Sequence, residues 1–243
     1  MKAFLLAAGE GTRLRPVTDN MPKCLVPING KPLLAIWLEL CERHGIDEVL
    51  VNLHWKVNAV RRFISESKWR LTVRLFEEAE LLGSAGTVAA NRSWVGEDAC
   101  FWILYADVLT NVDLSKMLVS HRQHGRPVTM GLTPTDQPRR CGIALVDDRG
   151  LVVSFEEKPE EPQSNLAFSG VLVCSPEIYD CIPDRKPVDL GREVLPRLAG
   201  RMQGYLIREY LLDIGSLANY EAAQQAWRQI TELRAVATAS PGA

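Results

Sequence analysis

An apolar segment at the start of the chain, residues 2–7, leads directly into a loop that contains two glycines, Gly9 and Gly11. The apolar run has the length and composition of one buried β-strand. Glycines let a backbone approach a bulky anion with its N–H groups pointing inward, and the cations Arg13 and Lys23 supply the positive charge that phosphates attract. The segment therefore predicts a strand followed by a phosphate-binding loop.

The loop differs from the two most familiar phosphate-binding patterns. It lacks the Gly-Lys-Ser/Thr that closes a Walker loop and the third glycine of a dinucleotide fingerprint, which argues against a Rossmann-type oxidoreductase. The run from Leu6 to Leu14, together with Pro22-Lys23, resembles the signature of the sugar-1-phosphate nucleotidyltransferases. These enzymes join a nucleoside triphosphate to a sugar phosphate and release pyrophosphate. The resemblance covers residues 1 to about 228.

In the first half of the chain, strand-like apolar runs alternate with helical patterns. We expect strands near residues 2–7, 49–53, 71–76 and 100–105, and helices at 31–44, at 56–66 and after Gly83. Such alternation is typical of a Rossmann-like α/β fold with a mixed, mostly parallel central sheet and helices on both faces.

The second half of the chain changes character. We expect strands near residues 128–133, 142–147, 151–156, 167–174, 203–207 and 210–213, a helix over 191–198 capped by Asp189, and a last helix from Ser216 toward Leu233. The turn sequence Asp147-Asp148-Arg149-Gly150 favours antiparallel pairing of the strands around it. A small antiparallel part is therefore predicted, and the resemblance implies that it binds the sugar.

These elements predict a single nucleotidyltransferase domain over residues 1–234, with a nucleotide-binding half at about 1–112 and a sugar-binding half at about 113–234. No hexapeptide repeat is present, so we expect no C-terminal β-helix of the kind that some relatives carry. The segment 235–243, rich in Ala, Ser, Pro and Gly, is predicted to be a disordered tail.

Composition restricts the class of partner and the cellular compartment. The 28 Lys and Arg balance 30 Asp and Glu without a long basic block, so we expect no nucleic-acid partner. No run approaches the ~18 apolar residues of a membrane span, and the N-terminus lacks a signal-peptide pattern. The six cysteines have no CxxC spacing, which favours free thiols in a reducing cytoplasm over a zinc site. The sequence leaves monomer and homodimer open.

The resemblance assigns nucleotide contacts to the N-terminal loop and to a second glycine turn, Gly83 to Thr87. The residues it implies are Leu6, Ala8, Gly9, Gly11, Thr12, Arg13, Lys23, Glu78, Gly83 and Ser84. Arg13, Lys23 and Asp107 are the implied catalytic residues, with Arg13 on the leaving pyrophosphate and Lys23 near the α-phosphate.

The identity of the base depends on an acidic residue near the second glycine turn. The Glu78 carboxylate could accept both N1–H and the 2-amino group of guanine, or the single N3–H of uracil or thymine. Glu77 and Glu80 are close enough in sequence to take its place. The base therefore stays open.

Two aspartates, Asp107 and Asp213, each follow an apolar strand-like run. Ligands of open α/β sheets bind beyond the carboxyl ends of strands, and two carboxylates there can converge on one hard cation. The resemblance implies that both hold Mg²⁺, with Mn²⁺ able to substitute, although each aspartate could instead cap a turn or helix. Ala106 stands where the family usually has glycine before the first aspartate.

The resemblance also implies a sugar-phosphate site. Its residues are Gly142, Glu157, Lys158, Ser169 and Gly170, of which Glu157 and Lys158 form a Glu-Lys-Pro motif. A carboxylate suits sugar hydroxyls because it accepts hydrogen bonds only. Cys141 and Phe168 stand where relatives often have tyrosine and asparagine, so the identity of the sugar is open.

Taken together, the motifs predict transfer of a nucleotidyl group from a nucleoside triphosphate to a sugar-1-phosphate. The segment Pro27 to Pro32 and the Asp-Ile-Gly-Ser at 213–216 look most like guanylyltransferases for mannose- or heptose-1-phosphate. Thymidylyl or uridylyl transfer to glucose-1-phosphate or an amino-sugar-1-phosphate is the alternative. A non-catalytic nucleotide-sugar sensor is a remote one, because a sensor would be expected to lose one of the proposed catalytic or metal-binding residues, and none is lost.

Overall fold

The apolar run at the N-terminus forms a central strand of a nine-stranded sheet in the computed structural model, which describes residues 1–239. The strands are β1 (Lys2–Leu6), β2 (Pro27–Ile28), β3 (Lys31–Pro32), β4 (Glu48–Leu53), β5 (Thr72–Glu77), β6 (Phe101–Tyr105), β7 (Val108–Thr110), β8 (Val128–Pro134), β9 (Gly142–Val146), β10 (Leu151–Glu157), β11 (Leu166–Cys174), β12 (Met202–Leu206) and β13 (Leu211–Asp213). The α-helices are α1 (Leu33–Arg43), α2 (Val57–Glu66), α3 (Ser84–Ala90), α4 (Arg92–Val95), α5 (Leu114–His124) and α6 (Leu217–Ala239).

The large sheet has the strand order β5-β4-β1-β6-β11-β8-β12-β10-β9. Its first four strands are parallel, so the carboxyl ends of β1, β4 and β6 meet at one edge, with Leu6 opposite both Asn52 and Tyr105. From β11 onward the pairings are antiparallel except for β8 with β12. The predicted mixed α/β fold is confirmed, but its antiparallel strands continue the same sheet and make up about half of it.

Both faces of the sheet are buried, which explains the continuous apolar strands of the first half. Ala3 and Leu5 face a core built with α1, α5 and α6, whereas Phe4 faces a second core with α3, α4 and the segment 188–198. Successive side chains of a strand point to opposite faces, so a strand covered on both sides needs an apolar residue at every position. Helices on both faces of the sheet follow directly from this arrangement.

Two predicted segments differ from their expected form. Asp189 caps the segment after it by accepting a hydrogen bond from the Arg192 N–H at 2.9 Å, as predicted, but residues 190–198 form a π-helical turn and a 3-10 turn instead of an α-helix. The last helix, α6, continues to Ala239, so residues 235–239 of the predicted disordered tail are helical. Alanine has the highest helix propensity, which accounts for the extension through an alanine-rich segment. Residues 240–243 of that prediction lie outside the described residues.

Within the described part of the chain, no β-helix follows the sheet. Nor does any helix there have the length and apolar character needed to cross a lipid bilayer.

Cysteine burial gives a test of this fold. All six thiols are free, with Cys24, Cys41 and Cys174 buried and the other three partly buried. Burial raises the pKa of Cys24 and of Cys41 to about 12, which suppresses the reactive thiolate. In the native protein we expect the three buried thiols to react slowly with a disulfide reagent, whereas unfolded protein should show six thiols. A count below six in unfolded, unreduced protein would contradict the free-thiol assignment.

Candidate active site

A cavity of about 270 Å³ opens where β1, β4 and β6 end. Its lining combines the first glycine loop, the second glycine turn and the end of β6, and comprises Leu6, Ala7, Ala8, Gly9, Lys23, Cys24, Asn52, Glu78, Leu81, Gly83, Ser84, Tyr105, Ala106 and Asp107. Most of the predicted nucleotide-binding residues are therefore brought together. Gly11, Thr12 and Arg13 belong to the loop that borders the cavity without lining it.

The two glycines of the first loop are there for different reasons. Gly11 has a positive φ of 67°, and a Cβ atom there would lie 3.0 Å from both Lys23 Cβ and Thr18 Cγ2. The Thr18 hydroxyl donates a hydrogen bond of 2.8 Å to the Gly11 carbonyl and fixes this turn. A Cβ atom on Gly9 would meet nothing within 4 Å. Gly11 is thus required by the fold, whereas Gly9 leaves open space beside the cavity.

Lys23 joins this loop to the two predicted metal-binding aspartates. The residue is only 8% exposed. Its Nζ lies 2.8 Å from Asp107 Oδ2 and 3.6 Å from Asp213 Oδ1. One ammonium group therefore lies between two carboxylates that come from positions more than 100 residues apart.

The carboxylates converge because β7 and β13 pair antiparallel, which places Asp213 opposite Val108. The Ile214 N–H donates to the Asp107 carbonyl at 2.8 Å and extends this ladder. Partial burial raises the pKa of Asp213, the Asp107 carboxylate raises it further, and Lys23 and Arg13 oppose the shift. Like charges held this close favour a cation between them.

Arg13 is exposed, and within residues 1–239 its guanidinium forms no hydrogen bond or ion pair. It is near enough to Asp213 to influence the pKa of that carboxyl group. Arg13 thus contributes positive charge at the mouth of the cavity without supporting the fold.

Glu78 is the acidic residue that lines the cavity next to the second glycine turn. It is 6% exposed. Its Oε1 accepts hydrogen bonds from Asn52 Nδ2 at 2.8 Å and the Thr87 hydroxyl at 2.5 Å, and its Oε2 accepts one from the Leu82 N–H at 3.0 Å. Glu77 and Glu80, the two alternatives to Glu78, do not line the cavity. Glu77 pairs with Arg61, and Glu80 is exposed.

Asn52 was not predicted as a site residue. Its Oδ1 accepts a hydrogen bond of 2.7 Å from the Ala7 N–H, so it holds the start of the glycine loop as well as Glu78. The signal in the sequence was an asparagine in an otherwise apolar strand, next to the strand that carries the loop. Polar residues near the carboxyl ends of such strands are candidates for site residues.

The second glycine turn packs against a segment from the sugar-binding half. The Val188 carbonyl accepts hydrogen bonds from the Ala85 N–H at 3.0 Å and the Gly86 N–H at 3.2 Å. Gly83 has φ 77°, and a Cβ atom there would lie 2.3 Å from the Val188 oxygen. No other residue fits at Gly83 without a displacement of one backbone from the other.

The next residue, Asp189, links the two halves of the site. Its Oδ2 accepts a hydrogen bond of 3.0 Å from the Ser84 hydroxyl, whose oxygen in turn accepts one of 2.7 Å from the Leu190 N–H. The charge of Asp189 also contributes to the raised pKa of Glu157. The sequence indicated only a helix cap at Asp189; its contact with Ser84, 105 residues away, depends on the tertiary fold.

Glu157 and Lys158, which are predicted to bind the sugar phosphate, form an ion pair of 3.8 Å. A Cβ atom on Gly142 would lie 2.6 Å from Glu157 Oε2, and one on Gly191 would lie 2.9 Å from the same oxygen. Both glycines therefore make room for this carboxylate, whose pKa is raised mainly by burial. Lys158 has a left-handed φ of 55°, a strained conformation for a non-glycine residue that is often retained at functional sites.

Ser169 does not occupy the position expected of it. Ser169 is 2% exposed. A Cβ atom on Gly131 would lie only 2.4 Å from the Ser169 hydroxyl oxygen, so Ser169 packs against Gly131. The register of β11 shifts between Phe168 and Leu172, and Ser169 lies within this shift. Gly170 lies beside Tyr105, where a Cβ atom would lie 2.9 Å from Tyr105 Cβ.

The two departures from the family pattern also lie at this side. The Phe168 ring stands edge-on to Tyr105 at 5.6 Å and to Phe155 at 6.3 Å, so it forms an apolar aromatic wall. Burial raises the pKa of the Cys141 thiol, and the charges of Asp213 and Glu157 add to this effect. Cys141 is therefore close enough to Asp213 and Glu157 for both carboxylates to influence its pKa.

The contrast between the glycines gives a prediction. Gly83→Ala should destabilise the protein by about 2–4 kcal/mol, because the new Cβ atom meets the Val188 backbone and φ is positive. Gly9→Ala is the matched control and should leave thermal stability within about 0.5 kcal/mol. Thermal unfolding measures both, and equal stability of the two variants would contradict the packing described for the second turn.

The chain is similar to known nucleotidyltransferases. The family model described as "Nucleotidyl transferase" matches residues 2–230. The protein named "Probable mannose-1-phosphate guanylyltransferase 2" from Oryza sativa subsp. japonica is 30% identical over 227 residues, which are 90% of this chain and 63% of that protein. The "UTP--glucose-1-phosphate uridylyltransferase" of Synechocystis is 33% identical over 214 residues, 82% of this chain and 55% of that protein.

A solved structure covers a chain of similar length. HddC from Yersinia pseudotuberculosis superposes with a TM-score of 0.80 at 25% identity, over 93% of this chain and 99% of that one. The same protein complexed with GMP-PN gives a TM-score of 0.79. The chain spans about 63% of the length of the rice relative, so it corresponds to a part of that protein. The match over residues 2–230 shows that the chain belongs to the nucleotidyl transferase family, as the resemblance of its glycine loop to the sugar-1-phosphate enzymes indicated.

Proposed function

We propose that this protein transfers a nucleotidyl group from a nucleoside triphosphate to a sugar-1-phosphate, with release of pyrophosphate. The observation that supports this most is the convergence of Lys23, Asp107 and Asp213 beside the first glycine loop. The same cavity includes the second glycine turn and Glu78. Positive charge, paired carboxylates and a pocket for a base lie within reach of one triphosphate.

The reaction needs positioning and charge neutralisation, without a protein nucleophile. A phosphate oxygen of the sugar-1-phosphate attacks the α-phosphorus of the nucleotide, a new P–O bond forms, and the bond to the β-phosphate breaks. Arg13 holds the leaving pyrophosphate, and Lys23 stabilises charge at the α-phosphate. Preorganised cations of this kind lower the barrier because they are already oriented where charge develops.

A divalent cation, Mg²⁺ or in its place Mn²⁺, fits the pair Asp107 and Asp213. Both groups are carboxylates, which hard cations prefer, and both already lie around a single positive charge. When bound, the metal neutralises the phosphates and orients them for in-line attack. The described residues contain no cluster of three metal-ligating side chains, which is consistent with Mg²⁺ sites that take further ligands from substrate phosphates and water.

GTP is the nucleotide that we propose. Glu78 Oε1 accepts two hydrogen bonds and Oε2 accepts one, so one lone pair of the carboxylate is left for a donor such as the N1–H of guanine. The rice relative is named as a guanylyltransferase, and HddC was solved with GMP-PN. The name of the Synechocystis relative supports the alternative, uridylyl transfer to glucose-1-phosphate.

For the sugar we propose mannose-1-phosphate or a heptose-1-phosphate. Glu157 would accept hydrogen bonds from sugar hydroxyls, Lys158 would meet the sugar phosphate, and Gly142 and Gly170 allow close approach. We drop Ser169 from this set because it is buried. A cytoplasmic location and a monomer or homodimer remain our predictions.

A substrate matrix tests the function. Five nucleoside triphosphates combined with several sugar-1-phosphates, read by pyrophosphate release with Mg²⁺, should give the highest turnover for GTP with mannose- or heptose-1-phosphate. A maximum for UTP or dTTP would shift the assignment to the alternative. Absence of turnover with every pair, while nucleotides still bind, would overturn catalysis in favour of a sensor.

Arg13 gives a second prediction for the proposed chemistry. Its guanidinium can hold two phosphate oxygens at once, which a lysine cannot do. Arg13→Lys should therefore lose most of the turnover, about 10²-fold or more, although it keeps the charge. Its melting temperature should stay within a few degrees of wild type, because the side chain is exposed. Near-normal turnover of Arg13→Lys would show that Arg13 supplies only diffuse charge.

A further inference from the structure

The position of Lys23 bears on when a metal ion can bind. Its ammonium group lies at hydrogen-bond distance from Asp107, 2.8 Å, and within ion-pair distance of Asp213, 3.6 Å. The two carboxylates and the ammonium carry a combined charge of −1 when all are ionised. The lysine thus occupies the gap between the groups that we propose as metal ligands.

The backbone of Lys23 is fixed, so only the end of its side chain can move. The Leu25 N–H donates to the Pro22 carbonyl at 2.9 Å, and the Val26 N–H donates to the Lys23 carbonyl at 3.1 Å. The first carbons of the side chain pack under Gly11, where a Cβ atom would lie 3.0 Å from Lys23 Cβ and 3.5 Å from Lys23 Cγ. Gly9 lines the same cavity as Lys23, and a Cβ atom on Gly9 would meet nothing within 4 Å, so the cavity has open space on this side.

We propose that Lys23 holds Asp107 and Asp213 as a resident counter-cation in the nucleotide-free protein, and that the incoming triphosphate draws the ammonium away. The divalent cation then binds together with the nucleotide instead of before it. This inference rests on the metal site of the proposed function. It assigns Lys23 a second role, in the order of binding, beyond its contact with the α-phosphate.

Electrostatics supports the exchange. A cation between the carboxylates would lie close to the ammonium, and two positive charges a few ångströms apart repel each other strongly in a partly buried site. The described residues offer no third acidic or histidine ligand to compensate. A triphosphate removes the conflict, because its oxygens supply further metal ligands and also give the ammonium a new anionic partner.

Mn²⁺ binding to nucleotide-free protein tests the inference without a need for turnover. Paramagnetic resonance of free Mn²⁺, or calorimetry, would compare wild type with Lys23→Met, which keeps an unbranched side chain of similar length and removes the charge. We expect Lys23→Met to bind Mn²⁺ about tenfold more tightly or better. Arg13→Met, the matched control, removes a charge from the same cleft without an ion pair to either aspartate, and should change the affinity by less than about threefold.

A double variant and a nucleotide-loaded measurement complete the design. Asp107→Asn combined with Lys23→Met should return Mn²⁺ affinity to the weak level of wild type, and GTP alone should tighten Mn²⁺ binding far more in wild type than in Lys23→Met. Thermal unfolding would verify that each variant is folded. If folded Lys23→Met binds Mn²⁺ no better than wild type, while Asp107→Asn still weakens Mn²⁺ binding in the presence of GTP, the role of Lys23 is overturned and the metal site stands. If Asp107→Asn has no effect in either state, the proposed metal site is overturned, and the inference with it.

Discussion

The ion pairs of Lys23 with Asp107 and Asp213 are the interaction on which the site depends. They bring together the loop after β1, the end of β6 and the end of β13. Lys23 is buried, and a buried charge is costly unless it is paired, so its ammonium depends on the two carboxylates in the nucleotide-free protein. Gly11 contributes indirectly, because only a residue without a side chain leaves room for the carbons of Lys23 beneath it. The loop, the cation and the carboxylates therefore form one structural unit.

The residues that sequence reasoning found share one property, namely that local pattern determines their position. Asp107 comes after β6, where ligands of a parallel sheet gather, and Asp213 ends the apolar strand β13, so both could be predicted as site residues from the order of residues along the chain. The parallel half of the sheet could be predicted for the same reason, since strands and helices alternate there with both faces covered. The glycines of the first loop likewise carry a local signal, because Arg13 follows Gly11 by two residues.

The residues that sequence reasoning missed or misplaced depend on contacts between distant segments. Asp189 meets Ser84 only because the segment 188–198 crosses back to cover the face of the parallel strands. Ser169 lies within a shift of strand register, where the four steps from Phe168 to Leu172 on β11 match only the two steps from Leu132 to Met130 on β8. The antiparallel share of the sheet was underestimated because β11 inserts between β6 and β8, far from its neighbours in sequence.

The ladder between β6 and β11 has a consequence for how the cleft accommodates its ligands. Four residue pairs, from Val171 with Leu104 to Cys174 with Phe101, join the strand that leads to Asp107 to the strand that begins the sugar side. A hinge motion between the halves would have to break this run of backbone hydrogen bonds in the middle of a continuous sheet. The distance between the proposed nucleotide and sugar sites is therefore determined by the β-sheet. Bound molecules must therefore fit a distance that the sheet determines, and only side chains and surface loops can adjust to them.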